Sequence, residues 1–200
     1  MPQAQARKTL EFLFDVGSPT TYLAHRRIPD LIARTGAEVI YVPVLLGGIF
    51  KATGNASPVM VPAKGAWMGA DMARFARKFG VPLNMNPYFP INTITMMRMA
   101  AGLVGEQAFP RLVDALFDAM WKGRKNMGDP DVLVAVLTGA GFDPAALLAL
   151  ADTPEAKDRL KTNTESAVAR GAFGAPTFFV EDEMFFGQDR LDFIEEALVR

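Results

Sequence analysis

The sequence predicts an α/β chain with a βαβ unit at its start, a helical stretch in its middle and a ββα unit at its end. Three observations predict it. Two short apolar runs, Leu10 to Phe14 and Glu38 to Leu45, flank one amphipathic segment. From about Gly47 to Arg170 the apolar residues recur at helical spacing between Gly and Pro stops. Two further apolar runs, Thr177 to Val180 and Met184 to Phe186, then surround a polar turn. At 200 residues and 50% hydrophobic, the chain can build one sizeable domain, or one domain carrying a large insertion.

Each element has a local reason. Leu10 to Phe14 is apolar and aromatic and stops at Asp15-Val16-Gly17-Ser18-Pro19, so it reads as a buried strand and a turn. Ser18 suits an N-cap, and Pro19 the first helical position. Tyr22, Leu23, Ile28, Leu31 and Ile32 continue a helical stripe that Gly36 ends. Glu38 to Leu45 is β-branched and apolar, a second strand. Gly47 to Pro62, rich in glycine, proline and small residues, is expected to be a loop. Met68, Met72, Phe75, Ala76 and Phe79 lie on one helical face, which Gly80-Val81-Pro82 closes. Pro87 to Asn92 is irregular, and Ile94 to Leu103 reads as helix. Phe109 to Trp121 carries a strong amphipathic stripe. Asp131 to Thr138, Pro144 to Leu150 and Pro154 to Ala169 are further helices. Glu181-Asp182-Glu183 turns a hairpin, and Leu191, Ile194 and Leu198 mark a last helix.

This order matches a thioredoxin-like domain with helices inserted at its crossover. The expected division is a thioredoxin-like domain over 8–48 and 171–200, with a helical insertion over 49–170. Composition excludes several functions. Twenty-one basic against 22 acidic residues give a net charge of -1, with no basic field for nucleic acid. There is no cysteine, so no disulfide, thiolate metal site or thiol redox cycle of the chain's own. One histidine, His25, leaves a histidine-rich metal site out of reach and disfavours a His-based triad. No metal is expected. Met1 to Thr9 is polar and basic rather than a secretory signal, and runs such as Leu147 to Ala151 are too short for a bilayer. The expected setting is the cytoplasm, with no membrane partner.

The chemistry is expected where the first strand meets the first helix. Redox members of such folds carry C-x-x-C there. Here the stretch is Ser18-Pro19-Thr20-Thr21, with hydroxyls at both thiol positions. It cannot form a mixed disulfide, but a hydroxyl at a helix N-terminus can donate to an anion. A thiol, if needed, must come from outside, and one held against Ser18 would be kept as the reactive thiolate. In Gly174-Ala175-Pro176-Thr177, Pro176 is a candidate for a cis bond that turns the Ala175 N–H and C=O outward as a strand edge for a peptide. In Gly187-Gln188-Asp189-Arg190, Asp189 suits a helix cap or the ammonium of a small peptide.

Plainer readings stand beside these. Ser18 alone is an N-cap, and Lys64 is a solvated charge at a helix start, where the dipole gains it nothing. His25 reads as a surface or partly packed side chain. The 11 methionines and the Phe stripe are first of all core, and Trp121 belongs with them.

Phe14-Asp15, Ser18-Pro19 and Tyr22-Leu23-Ala24 together resemble the opening motif of 2-hydroxychromene-2-carboxylate isomerases and kappa-class glutathione transferases. The resemblance continues in order through Gly54-Asn55, Pro62-Ala63-Lys64-Gly65, Gly80-Val81-Pro82 and Phe89-Pro90-Ile91-Asn92-Thr93. It ends through Gly174-Ala175-Pro176-Thr177 and Phe186 to Leu191, so it covers nearly the whole chain. It implies a glutathione-dependent enzyme, usually a homodimer, whose catalytic serine falls on Ser18 and contacts the glutathione sulfur. It places further glutathione contacts on Asn55, Lys64, Ala175 before Pro176, Gln188 and Asp189, with Arg190 next. The chain departs from the family at Val16-Gly17 and at Thr21. Trp67, Phe89 and Trp121 are candidates to line a substrate pocket.

The implied chemistry is reversible thiolate addition to an unsaturated 2-oxo acid from aromatic-ring degradation. A transferase acting on electrophiles would use the same thiolate, and a non-catalytic thioredoxin-like binding module would also lack both cysteines. A serine hydrolase is disfavoured, because no serine sits in G-x-S-x-G.

Overall fold

Four strands form one mixed sheet in a computed structural model that describes residues 8–200. They are β1 (Thr9–Phe14), β2 (Glu38–Pro43), β3 (Thr177–Val180) and β4 (Glu183–Phe186), in the order β2-β1-β3-β4. β1 runs parallel to β2, from Thr9 opposite Glu38 to Phe14 opposite Pro43. β3 runs antiparallel to β1, and β4 to β3. The helix between the parallel strands is α1 (Pro19–Thr35), with Ser18 as N-cap, Pro19 in its first turn and Gly36 left-handed at φ 67 beyond its end. The fold is thioredoxin-like, as the element order predicts. The polar start of the chain, apart from Lys8 and Thr9, lies outside the described residues.

Seven helices stand between β2 and β3: α2 (Leu46–Thr53), α3 (Pro62–Phe79), α4 (Ile94–Leu103), α5 (Phe109–Phe117), α6 (Pro130–Gly139), α7 (Pro144–Asp152) and α8 (Pro154–Ala169). α9 (Leu191–Val199) closes the chain. Five of the inserted helices follow the periodic segments closely. α5 ends one turn early, because Asp118–Lys122 widens into a π-turn that carries Trp121. The expected loop from Gly47 to Pro62 is the clear departure, since it holds α2 and a 3₁₀ turn at Pro58–Met60. Gly47 and Gly48 argue against a helix locally. α2 forms because a distant carboxylate, that of Asp15, takes the first N–H of the helix at Leu46.

Both sheet faces are covered. Leu10, Phe12 and Phe14 of β1 point toward α1, α4, α5 and α9, in a core shared with Tyr22, Met97, Phe117 and Trp121. Leu13 points the other way, against Ile49 of α2 and Ala167 of α8. The inserted helices therefore complete the same core as the sheet. The Phe12 and Phe178 rings stack at 5.1 Å across β1 and β3. His25 is more engaged than its sequence suggested. It is 8% exposed, with Nε2 at 2.8 Å from Asp114 of α5 and Nδ1 at 3.0 Å from the Tyr41 hydroxyl of β2.

Candidate active site

The turn after β1 is fixed before any ligand enters. Asp15 is buried, and its carboxylate accepts hydrogen bonds from Gly17 N–H (2.8 Å), Leu46 N–H (2.8 Å) and the Thr93 hydroxyl (3.1 Å). One side chain thus joins the turn, the start of α2 and the start of α4. Burial pushes its carboxyl pKa up, and the three donors oppose that shift. Trp121 Nε1–H donates to Val16 O at 2.8 Å. At Gly17 a Cβ would stand 2.9 Å from Thr93 Cγ2, so the close approach of that threonine needs glycine.

This support delivers Ser18 to the N-terminus of α1. Its Oγ accepts from Thr21 N–H at 3.2 Å and donates to Ala175 O at 3.0 Å. Thr20 Oγ1 stands 3.0 Å from Ser18 Oγ and 3.5 Å from the same Ala175 oxygen. The first turn of α1 holds no acidic residue, so the positive end of the helix dipole is not offset there. Cis peptides join Ala175 to Pro176 and Phe89 to Pro90; the second was not anticipated. The Ala175 C=O does not face outward as expected, because Ser18 already holds it. The Ala175 N–H has no acceptor among the described residues.

Asn55 is exposed and spans two loops: Nδ2 donates to Phe173 O at 2.8 Å, and Oδ1 accepts from Ala56 N–H at 2.8 Å. Gly187 N–H donates to Pro176 O at 3.0 Å, which brings the 3₁₀ turn Gln188–Arg190 beside the cis turn. Gln188 is buried there. Asp189 does not cap α9; it pairs with Arg190 at 2.8 Å.

A cleft of about 230 Å³ opens over these groups. Ser18, Thr20, Asn55 and Ala175 give it polar groups, and Leu46, Phe50, Met68, Met72, Met85, Phe89, Phe173 and Phe186 apolar ones. Among the described residues, no charged side chain lines it. Lys64 is exposed beside the lining Gly65, and Asp189 and Arg190 are also exposed outside the lining. Of the three expected pocket aromatics, Phe89 lines the cleft. Trp67 does not; it projects from α3 at 62% exposure. Trp121 does not either; it is fully buried behind Phe89, their rings 5.6 Å apart, and its polar atom serves Val16. Thr20, Phe50, Phe173 and Phe186 were missed. The Met68/Met72 spacing was legible, but it was read as core.

The family model of the DSBA-like thioredoxin domain matches residues 9–199. A 2-hydroxychromene-2-carboxylate isomerase of Sphingobium xenophagum is 34% identical over 195 residues, covering 96% of this chain and 98% of that protein. The glutathione S-transferase kappa 1 of Homo sapiens is 26% identical over 205 residues, covering 96% and 91%. A solved structure of a 2-hydroxychromene-2-carboxylate isomerase superposes with a TM-score of 0.84 at 28% identity, covering 94% of this chain and 93% of that one.

Proposed function

This chain belongs to the DSBA-like thioredoxin domain family, among the 2-hydroxychromene-2-carboxylate isomerases, and on that premise we propose that it is a glutathione-dependent isomerase of such unsaturated acids. One observation carries the reading: the position a thiol would hold is the Ser18 hydroxyl, capping α1 and lining an apolar cleft. The residues fit a small thiol peptide. The free N–H of Ala175 suits its backbone, and the uncompensated N-terminus of α1 suits an anionic sulfur. When bound, glutathione supplies a sulfur nucleophile that adds reversibly to a conjugated acid and lets a double bond rotate.

The chain's own residues do the rest. Ser18 turns its hydroxyl proton from Ala175 O toward the anion, and Thr20 takes over that carbonyl. Asn55 and Ala175 hold the peptide's backbone, with Pro176 shaping the turn. Gln188, Asp189 and Arg190 receive one end of it, and Lys64 approaches from the rim. Met68, Met72 and Phe89 hold the substrate ring and exclude water. The same reading sets the protein in the cytoplasm as a homodimer. The test follows hydroxychromene carboxylate by absorbance. Conversion is expected with glutathione and not without it; conversion that ignores the thiol would refute the reading.

The uncharged lining favours a second reading too. A cleft without a cation suits a neutral electrophile, so a kappa-like transferase fits the same geometry. Product mass separates the two: an isomer has the mass of its substrate, and a conjugate gains that of glutathione.

A further inference from the structure

A second cavity lies away from Ser18. It has a volume of about 490 Å³ and lies between α2, α4 and α8. That size falls within the range of about 300–1,000 Å³ typical of ligand pockets. Leu45, Ile94, Leu160 and Val168 give it an apolar floor. Thr164, also in the floor, has its hydroxyl committed: it accepts from Leu45 N–H at 2.9 Å and donates to Leu160 O at 2.7 Å.

The rim is cationic. Arg98, Lys157 and Lys161 line it, against one carboxylate, Glu165. Lys157 is paired with Asp152 at 3.0 Å, and Lys161 approaches Glu165 at 3.9 Å. Arg98 is different. It is half-buried on α4, and among the described residues its guanidinium meets no carboxylate and no hydrogen-bond acceptor.

We propose that this groove is a second binding site, for a small amphipathic carboxylate whose charge is anchored by Arg98. The chemistry selects that class. A carboxylate matches the guanidinium fork, and a half-buried pair is less screened than one in open water. An apolar body of one or two rings covers the floor, where each buried Å² contributes about 25 cal/mol. A neutral hydrophobe leaves Arg98 unanswered, and a bare phosphate leaves the floor wet. The groove shares α2 with the cleft: Gly48 and Ala52 face it, while Leu46 and Phe50 face the cleft. The inference does not depend on the glutathione reading.

The test titrates 2-naphthoate into the protein by calorimetry with excess glutathione present, beside the neutral isostere 2-naphthalenemethanol. The acid is expected to bind more tightly than the alcohol. Arg98→Gln should weaken the acid by about tenfold or more, the size of a lost charge-assisted hydrogen bond. Arg98→Lys should recover part of it and shows that the fold is kept. Backbone amide shifts on adding the acid should cluster at Gly48, Ile94 and Val168. Equal affinity for acid and alcohol, an unchanged Arg98→Gln, or shifts confined to Met68 and Phe89 would overturn the proposal. So would a fall in sedimenting mass with added acid, which would make the groove an interface between copies.

Discussion

Replacing Ser18 with alanine removes three bonds: the N-cap to Thr21 N–H, the donation to Ala175 O and the contact with the Thr20 hydroxyl. The loss of the cap costs about 1 kcal/mol, within a range of about 0.5–2. Ala175 O keeps the longer contact from Thr20 at 3.5 Å, so little is added. For a chain of this size a loss of about 1 kcal/mol should lower the melting temperature by roughly 2–4 °C, leaving a folded protein. The effect on a bound thiol is larger. A hydroxyl donating to an anion contributes about 1.5–3 kcal/mol. At about 1.4 kcal/mol per pKa unit, that is a shift of about 1–2 units. The donor favours the thiolate, so the bound thiol's pKa lies below the usual value of about 8.5, and losing the donor raises it. The assay is ultraviolet thiolate absorbance of bound glutathione across a pH series. A bound thiol that titrates at the same pH with and without Ser18 would refute the reasoning.

Three further outcomes follow from the same geometry. Thr20→Val removes the group that relieves Ser18 at Ala175 O, so the bound thiol's pKa should rise by less than in Ser18→Ala; the same titration reads it, and a larger rise than in Ser18→Ala would contradict the hand-over. Gly17→Ala drives a methyl to 2.9 Å from Thr93 Cγ2 and should cost about 1–3 kcal/mol through overpacking, read by urea denaturation. Asp15→Asn keeps one acceptor oxygen where three donors converge and should cost about 1–3 kcal/mol. Because the Asp15 carboxyl pKa is raised in the fold, its protonation supports the native state most below the unfolded value of 3.8. That support fades as pH rises through the folded pKa, so the wild type should lose part of its lead over Asp15→Asn across that window.

The fold was legible because its signals are local. The β1 run, the Ser18-Pro19 start of α1 and the stripes of α3, α4 and α8 each sit within one segment. What escaped was set by long-range contacts. α2 needs the Asp15 carboxylate, 31 residues earlier, to satisfy its first N–H. Trp121 could be read from sequence either as core or as a pocket aromatic; its indole N–H reaches Val16 across 105 residues and holds the ring in the core. Ser18 and the Ala175-Pro176 turn could be named from sequence, since each is a short motif. That the Ser18 hydroxyl already holds the Ala175 carbonyl could not, because 157 residues separate them. The cleft wall was hidden for another reason: Met68 and Met72 have the spacing of core residues, and nothing local says which apolar face stays uncovered.

The central claim is that a diffusible thiol lends this protein its nucleophile and that Ser18 keeps it ionised. A crystal structure with glutathione bound tests this most directly. The account predicts the cysteinyl backbone paired with Ala175 and the sulfur within hydrogen-bond reach of Ser18 Oγ. A tripeptide bound elsewhere, or one whose sulfur turns away from that hydroxyl, would contradict it.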